Sequence, residues 1–351
     1  MQTGNFPRIK LTDLPTPLEE MPRLTEALGG PRLLVKRDDL TGAGLGGNKV
    51  RKLEFLLADA KAKGATVIIT TGGPQTNHGR ITIGAAARLG MKSSLVVMGA
   101  KPPTISGNLL IDYLMGADVH FVPPVQDDSL SGYDRWPADL NNVENKVEET
   151  AEDLRKRGET PYVIKLGGTE PLGSLGYVNA AVEILNQLNE RQIKADYLVC
   201  GIGTGGTMSG LLLGMKLLNA NMKVIGVSVT AKDYMLAPMV MYESLEVAKL
   251  LGIKAEIKEE EVTIYDQYLG EAYGHPTKDG AEAILLTARS EGLILDPVYT
   301  GKVMAGIIDL SRKGEFTRED TVVFVHTGGV PGLFADEQVK AIVENALSDK
   351  K

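Results

Sequence analysis

An alternation governs what this chain can fold into: short runs of apolar, largely β-branched residues recur along it, with stretches of helical periodicity between them. That is the pattern of open, twisted, mostly parallel sheets flanked by helices on both faces, an α/β architecture. The candidate strands are Leu33–Lys36, Val67–Thr70, Ser94–Met98, Val119–Val122, Tyr162–Ile164, Leu198–Cys200, Val224–Val229 and Val322–His326. Helical patterns lie at Lys49–Lys63, Asn77–Leu89, Ser106–Met115, Val143–Arg157, Leu175–Asn189, Gly206–Leu218, Met239–Leu251, Lys278–Glu291 and Val303–Lys313. A chain of 351 residues, 43% of them hydrophobic, exceeds the usual single-domain length, so two domains are expected. No fixed period recurs, which argues against a solenoid. The longest stretch without periodicity, residues 123–142, reads equally as a lid or as a solvated insertion. The charged pattern of Val143–Arg157 reads as a solvated helix face carrying i,i+4 ion pairs.

A formal charge of −7 argues against nucleic-acid and anionic-membrane partners, which need concentrated positive charge. Cys200 is the only cysteine, so neither an internal disulfide nor a cysteine-rich zinc site can form, and the cytoplasm is the simplest home. No metal is called for. Met1–Lys10 carries no signal-peptide pattern, and no apolar run reaches spanning length.

Three glycine-rich turns sit where open α/β sheets bind ligands, after a strand and before a helix: Gly72–Asn77, Gly201–Thr207 and Thr327–Gly329. In the second, unpaired amides at a helix N-terminus and glycines that admit close approach make a phosphate cradle. Gly201, Gly203 and Gly206 also fit the dinucleotide fingerprint, so a nicotinamide oxidoreductase is a rival. That rival needs an acid about 20 residues on, at the end of the next strand. Here Val224–Val229 is followed by no acid until Asp233, which counts against it. A further glycine-rich loop, Gly42–Gly47, opens into a helix at Lys49. Partial burial near a helix N-terminus, with Arg51 and Lys52 beside it, would lower the Lys49 pKa and make its amine a nucleophile. A non-catalytic phosphate-binding module is the competing reading outside enzymology.

Together these segments resemble one family. Gly46-Gly47-Asn48-Lys49-Val50-Arg51-Lys52-Leu53-Glu54, Gln75-Thr76-Asn77-His78, Gly203-Thr204-Gly205-Gly206-Thr207, Leu295-Asp296-Pro297-Val298-Tyr299-Thr300-Gly301-Lys302 and His326-Thr327-Gly328-Gly329 occur in the order found in D-cysteine desulfhydrases and 1-aminocyclopropane-1-carboxylate (ACC) deaminases. These are pyridoxal 5'-phosphate (PLP) enzymes of fold type II. The resemblance implies a large cofactor domain, residues 1–52 and 163–351, with a small α/β domain, residues 53–162, inserted in it. It implies that Lys49 carries PLP as a Schiff base and moves the substrate Cα proton, and that Asn77 bonds the cofactor's phenolic oxygen. Gly203, Thr204, Gly205, Gly206 and Thr207 would hold the phosphate, with Tyr273 and Tyr299 near a small amino-acid substrate. It also suggests a homodimer.

Two positions separate the family's chemistries. ACC deaminases have Glu where this chain has Thr300, as D-cysteine desulfhydrases do. A neutral hydroxyl from Thr300 or Thr327 leaves the pyridine nitrogen unprotonated, a weaker electron sink that suits α,β-elimination better than ring opening. D-cysteine is therefore the leading substrate, with L-cysteate and ACC as alternatives. Thr76 stands where the family usually has Ser; it keeps a hydroxyl for the substrate carboxylate but is expected to turn a methyl towards the substrate. His78 and Cys200 read as structural.

Overall fold

The computed structural model describes residues 3–126, 136–271 and 273–335. Ten strands are found among them: β1 (Leu18–Glu20), β2 (Arg32–Lys36), β3 (Val67–Gly72), β4 (Lys92–Met98), β5 (Asp118–Val122), β6 (Pro161–Val163), β7 (Tyr197–Ile202), β8 (Lys223–Ser228), β9 (Thr263–Tyr265) and β10 (Thr321–Val325). The helices are α1 (Pro22–Leu28), α2 (Lys49–Ala62), α3 (Asn77–Arg88), α4 (Gly107–Leu114), α5 (Trp136–Lys156), α6 (Pro171–Glu190), α7 (Gly206–Leu217), α8 (Asp233–Leu250), α9 (Lys278–Glu291), α10 (Thr300–Arg312) and α11 (Val330–Leu333).

The strands form two sheets, one in the order β1-β2-β10-β7-β8-β9 and one in the order β5-β4-β3-β6. Only β1 runs antiparallel to its neighbour. Side chains alternate along each strand, so the larger sheet feeds two cores. Leu198, Cys200, Val323 and Val325 pack under α6, α7 and α8, while Val199, Val322 and Phe324 pack against α9 and α10. The smaller sheet places Ile68 with α2 and α3, and Ile69 and Val96 with α5.

Three sequence expectations change here. Helix α5 begins at Trp136, not Val143, so part of the supposed loop is helical; residues 127–135 of it lie outside the described residues. Its face is not wholly solvated, because Val143, Val147 and Ala151 are buried against the smaller sheet. Among its close ion pairs, Lys146–Glu149 and Lys156–Asp153 are spaced i,i+3 and Arg155–Glu148 i,i+7, rather than i,i+4.

Helix α2 is buried on nearly every side. The fully buried Arg51 guanidinium donates to Asp38 from Nε and Nη2, each at 2.8 Å, and reaches Glu183 at 2.8 Å. The Tyr177 hydroxyl donates to Asp38 at 2.6 Å, and Lys36 pairs with Glu183. This network ties α2 to β2 and α6 at the point where the chain leaves one sheet for the other.

Candidate active site

Four turns converge on one cleft of about 430 Å³ between the sheets, where β3, β7 and β10 end. Lys49, the first residue of α2, stands in its wall. The loop before it is forced to be glycine: a Cβ on Gly46 would lie 2.1 Å from the Asp39 carbonyl oxygen, and one on Gly47 2.7 Å from Ile81. Asn48 then fastens the loop to the other turns, its N–H donating to the Thr327 carbonyl and its Nδ2 to Thr207 Oγ1, both at 3.0 Å.

The Lys49 Nζ has no hydrogen-bond partner among the described residues, and burial pushes its pKa down to about 8. The expected contributions of Arg51 and Lys52 to this shift are not found, since burial is its cause. Arg51 does not contribute, because its charge is compensated by Asp38 and Glu183 on the far side of the helix.

Lys52 does more than the sequence reading gave it. Fully buried, its Nζ makes only long contacts, 3.2 Å to the Gly167 carbonyl and 3.3 Å to Thr169 Oγ1. Burial, and then the charge of Lys49, hold its pKa well below the usual lysine range. A Cβ on Gly206 would fall 2.6 Å from this Nζ, so the ammonium lies directly under the Gly203–Thr207 turn. An under-partnered amine beneath outward-facing amides, which an arriving anion would favour in its protonated form, is a site for an anion. The signal was in the sequence: three residues after Lys49, Lys52 shares its helix face.

Asn77 opens α3, and Thr76 caps it by accepting from the Gly79 N–H at 3.1 Å. The Thr76 methyl does not face the cleft as expected. It lies against Gly79, where a Cβ would stand 2.4 Å from it, with Leu95 alongside. The Tyr273 and Tyr299 hydroxyls meet at 2.7 Å across the cleft, and burial raises both pKa values.

Thr327 lines the cleft, but Thr300 does not. The Thr300 hydroxyl is buried and spent on Asp296, accepting from its N–H and donating to its Oδ1, each at 2.7 Å. No Asp or Glu is among the described residues lining the cleft. His78 borders it, yet its Nε2 bonds Thr70 Oγ1 at 2.8 Å, and burial holds its pKa well down, so it is a neutral structural group. Cys200 is an inert core thiol, pushed up to about 12 by burial.

A lysine of depressed pKa opposite an anion cradle fits a cofactor that carries an aldehyde and a phosphate. Comparisons with known proteins agree. The family model described as pyridoxal-phosphate dependent enzyme matches residues 9–328. A Pyrococcus horikoshii protein provisionally named 1-aminocyclopropane-1-carboxylate deaminase is 40% identical, covering 94% of each chain. The D-cysteine desulfhydrase of Klebsiella pneumoniae is 39% identical, covering 94% of this chain and 96% of its own. Among solved structures, an ACC deaminase homologue superposes with a TM-score of 0.85 at 38% identity, over 97% of both chains. A threonine deaminase from Solanum lycopersicum, 17% identical over 95% of this chain and 83% of its own, shares the fold at a TM-score of 0.63. This chain belongs to the pyridoxal-phosphate-dependent enzymes of fold type II, and its reaction class is that of their elimination lyases.

Proposed function

We propose that this lyase acts on D-cysteine by α,β-elimination, yielding pyruvate, sulfide and ammonia. The observation that carries the reading is the absence of any carboxylate among the described residues lining the cleft, with Thr327 there as a neutral hydroxyl. When bound, PLP supplies an electron sink for the charge left at the substrate's Cα. An uncharged partner at its ring nitrogen makes that sink weak, which elimination of a good β-leaving group tolerates. The name of the Klebsiella relative supports the same substrate, and that of the Pyrococcus relative supports ACC as the second reading.

The roles follow from position. Lys49 holds the cofactor and, with a pKa of about 8, is suited to take the Cα proton. The amides of Gly203 to Thr207, the Thr204 and Thr207 hydroxyls and Lys52 hold the phosphate. Asn77 donates to the phenolic oxygen. Thr76 and the N-terminus of α3 receive the substrate carboxylate. Raised pKa values keep Tyr273 and Tyr299 protonated at neutral pH, so the pair serves as donor to the substrate or to the departing sulfur.

The same reading takes residues 1–52 and 163–351 as the cofactor domain and residues 53–162 as the inserted one, supported by the four strands of the smaller sheet, which run from Val67 to Val163, one residue past that boundary. It includes a cytoplasmic location and a homodimer, for which the exposed Tyr234, Met239 and Tyr242 of α8 offer an apolar surface. No helix among the described residues is long and apolar enough to cross a membrane. Light scattering tests the dimer. The substrate is tested by product assays on D- and L-cysteine, L-cysteate, β-chloro-D-alanine and ACC. Pyruvate from D-cysteine should form fastest; preferred conversion of ACC to 2-oxobutanoate overturns the reading.

A further inference from the structure

The geometry points to Arg80 and Asn108 as positioning residues that fix the amide of Asn77 with its N–H end towards the cofactor. This rests on the proposed pairing of Asn77 with the phenolic oxygen.

Both residues are fully buried. Arg80 Nε donates to Asn108 Oδ1 at 2.6 Å, and its Nη2 donates to the Gly46 carbonyl at 3.1 Å and lies 3.5 Å from Asn77 Oδ1. Asn108 Nδ2 donates to the Gln75 carbonyl at 2.7 Å and to Asn77 Oδ1 at 2.9 Å. The polarity of this chain has one solution. A guanidinium only donates, so the Asn108 atom facing it is oxygen and the atom facing Asn77 is nitrogen. Asn77 must answer with its oxygen, which leaves its Nδ2 as the end presented to the cleft. Asn108 is held in place independently, since its backbone N–H donates to Gln75 Oε1 at 2.8 Å while Gln75 Nε2 donates to the Ser106 carbonyl at 3.0 Å. Through Gly46, Arg80 also grips the loop that delivers Lys49. Asp112, one turn beyond Asn108 on α4, lies near the guanidinium without hydrogen-bonding it, and burial pushes the Asp112 pKa up to about 7, so it offsets the Arg80 charge only in part at neutral pH.

A donor on the phenolic oxygen favours its anion over sharing the proton of the cofactor–lysine nitrogen. It therefore lowers the pH at which that nitrogen loses its proton. The experiment follows the visible absorption of the holoenzyme against pH, with cofactor content measured on the same samples. Asn77→Ala should raise the titration midpoint by about one pH unit, a tenfold change in proton affinity. Asn108→Leu, which frees the Asn77 amide to turn, should raise it in the same direction at unchanged cofactor content. In an Asn77→Ala background it should add nothing, because it acts through that amide. Asn108→Asp keeps the acceptor for Arg80 but presents an acceptor to Asn77, and should shift the midpoint at least as far. Lys52 and His78, the other titratable groups coupled to Lys49, are unchanged in all these variants. If Asn77→Ala leaves the midpoint unmoved, the assignment of Asn77 fails, and this inference with it. If Asn77→Ala moves it but neither Asn108 variant does, the assignment stands and the inference is overturned. Loss of cofactor from both Asn108 variants also overturns it, since their role is then structural.

Discussion

Lys49 and Lys52 stand three residues apart on one face of α2, and burial gives them different work. Lys49 opens to the cleft with its pKa brought to about 8, so the reactive free amine grows as pH rises to that value. Capture of PLP by the apoenzyme should accelerate about tenfold between pH 6 and pH 7 and level off above about pH 8, followed as the growth of visible absorbance. A flat profile over that range would show that the amine is not the titrating group. Lys52 is a buried amine whose charged form burial disfavours until an anion arrives, which costs the apoenzyme stability at neutral pH, because its folded pKa lies below its unfolded one. Lys52→Met should therefore raise the melting temperature of the apoenzyme while weakening PLP binding by about 1.5–3 kcal/mol, roughly ten- to a hundredfold. Movement of both quantities in one direction would count against the phosphate role. Thr300→Glu is a less simple exchange than the sequence implies. Its carboxylate would be driven against the buried Asp296, so denaturant unfolding should show a loss of about 3 kcal/mol before any change in chemistry is read.

At the scale of elements, the Arg51–Asp38–Glu183 network replaces an apolar seam between α2, β2 and α6. Removing one partner strands the other charges, so Asp38→Ala should cost about 3–5 kcal/mol in urea unfolding. The eight strands expected from β-branched runs all exist within a few residues, and the nine expected helices exist too, although α5 and α8 begin seven and six residues early. Continuous apolar runs and 3.6-residue periods encode burial more directly than they encode ends. The short β1 and β9 were illegible. Each has three residues, too few to show a period, whereas the equally short edge strand β6 was legible because its apolar run continues into Ile164. Helix α1 and the four-residue α11 were equally silent. In the site, glycine turns announced themselves, since a Cβ at Gly46, Gly47 or Gly206 meets an atom within 3 Å. Directions of side chains did not. Nothing in the string shows that Thr76 lays its methyl on Gly79, that Thr300 bonds Asp296, or that Arg51 points away from Lys49, because each depends on residues distant in sequence or on a rotamer. Arg80 and Asn108 escaped notice for the same reason: their meaning lies in a hydrogen-bond chain spanning α3 and α4.

For the whole molecule, the two sheets differ in how far apart in the chain their strands lie. All of the smaller sheet comes from Val67 to Val163, whereas β2 pairs with β10, joining Leu34 to Val323. Non-local pairing is slower, since loop closure precedes any gain from contact. Pulsed hydrogen exchange during refolding should protect β3 and β4 before β2, and the reverse order would refute this. During synthesis the asymmetry becomes a matter of time. At about 5–20 residues per second, β2 is synthesised roughly 15–60 s before β10. Throughout that interval Lys49 is present without the Thr327 turn that its loop is fastened to. The nascent chain thus carries an incomplete cradle and an ordinary lysine, whose pKa falls only once burial is complete. Cofactor loading becomes the closing event of biogenesis, which follows translation rather than guiding it.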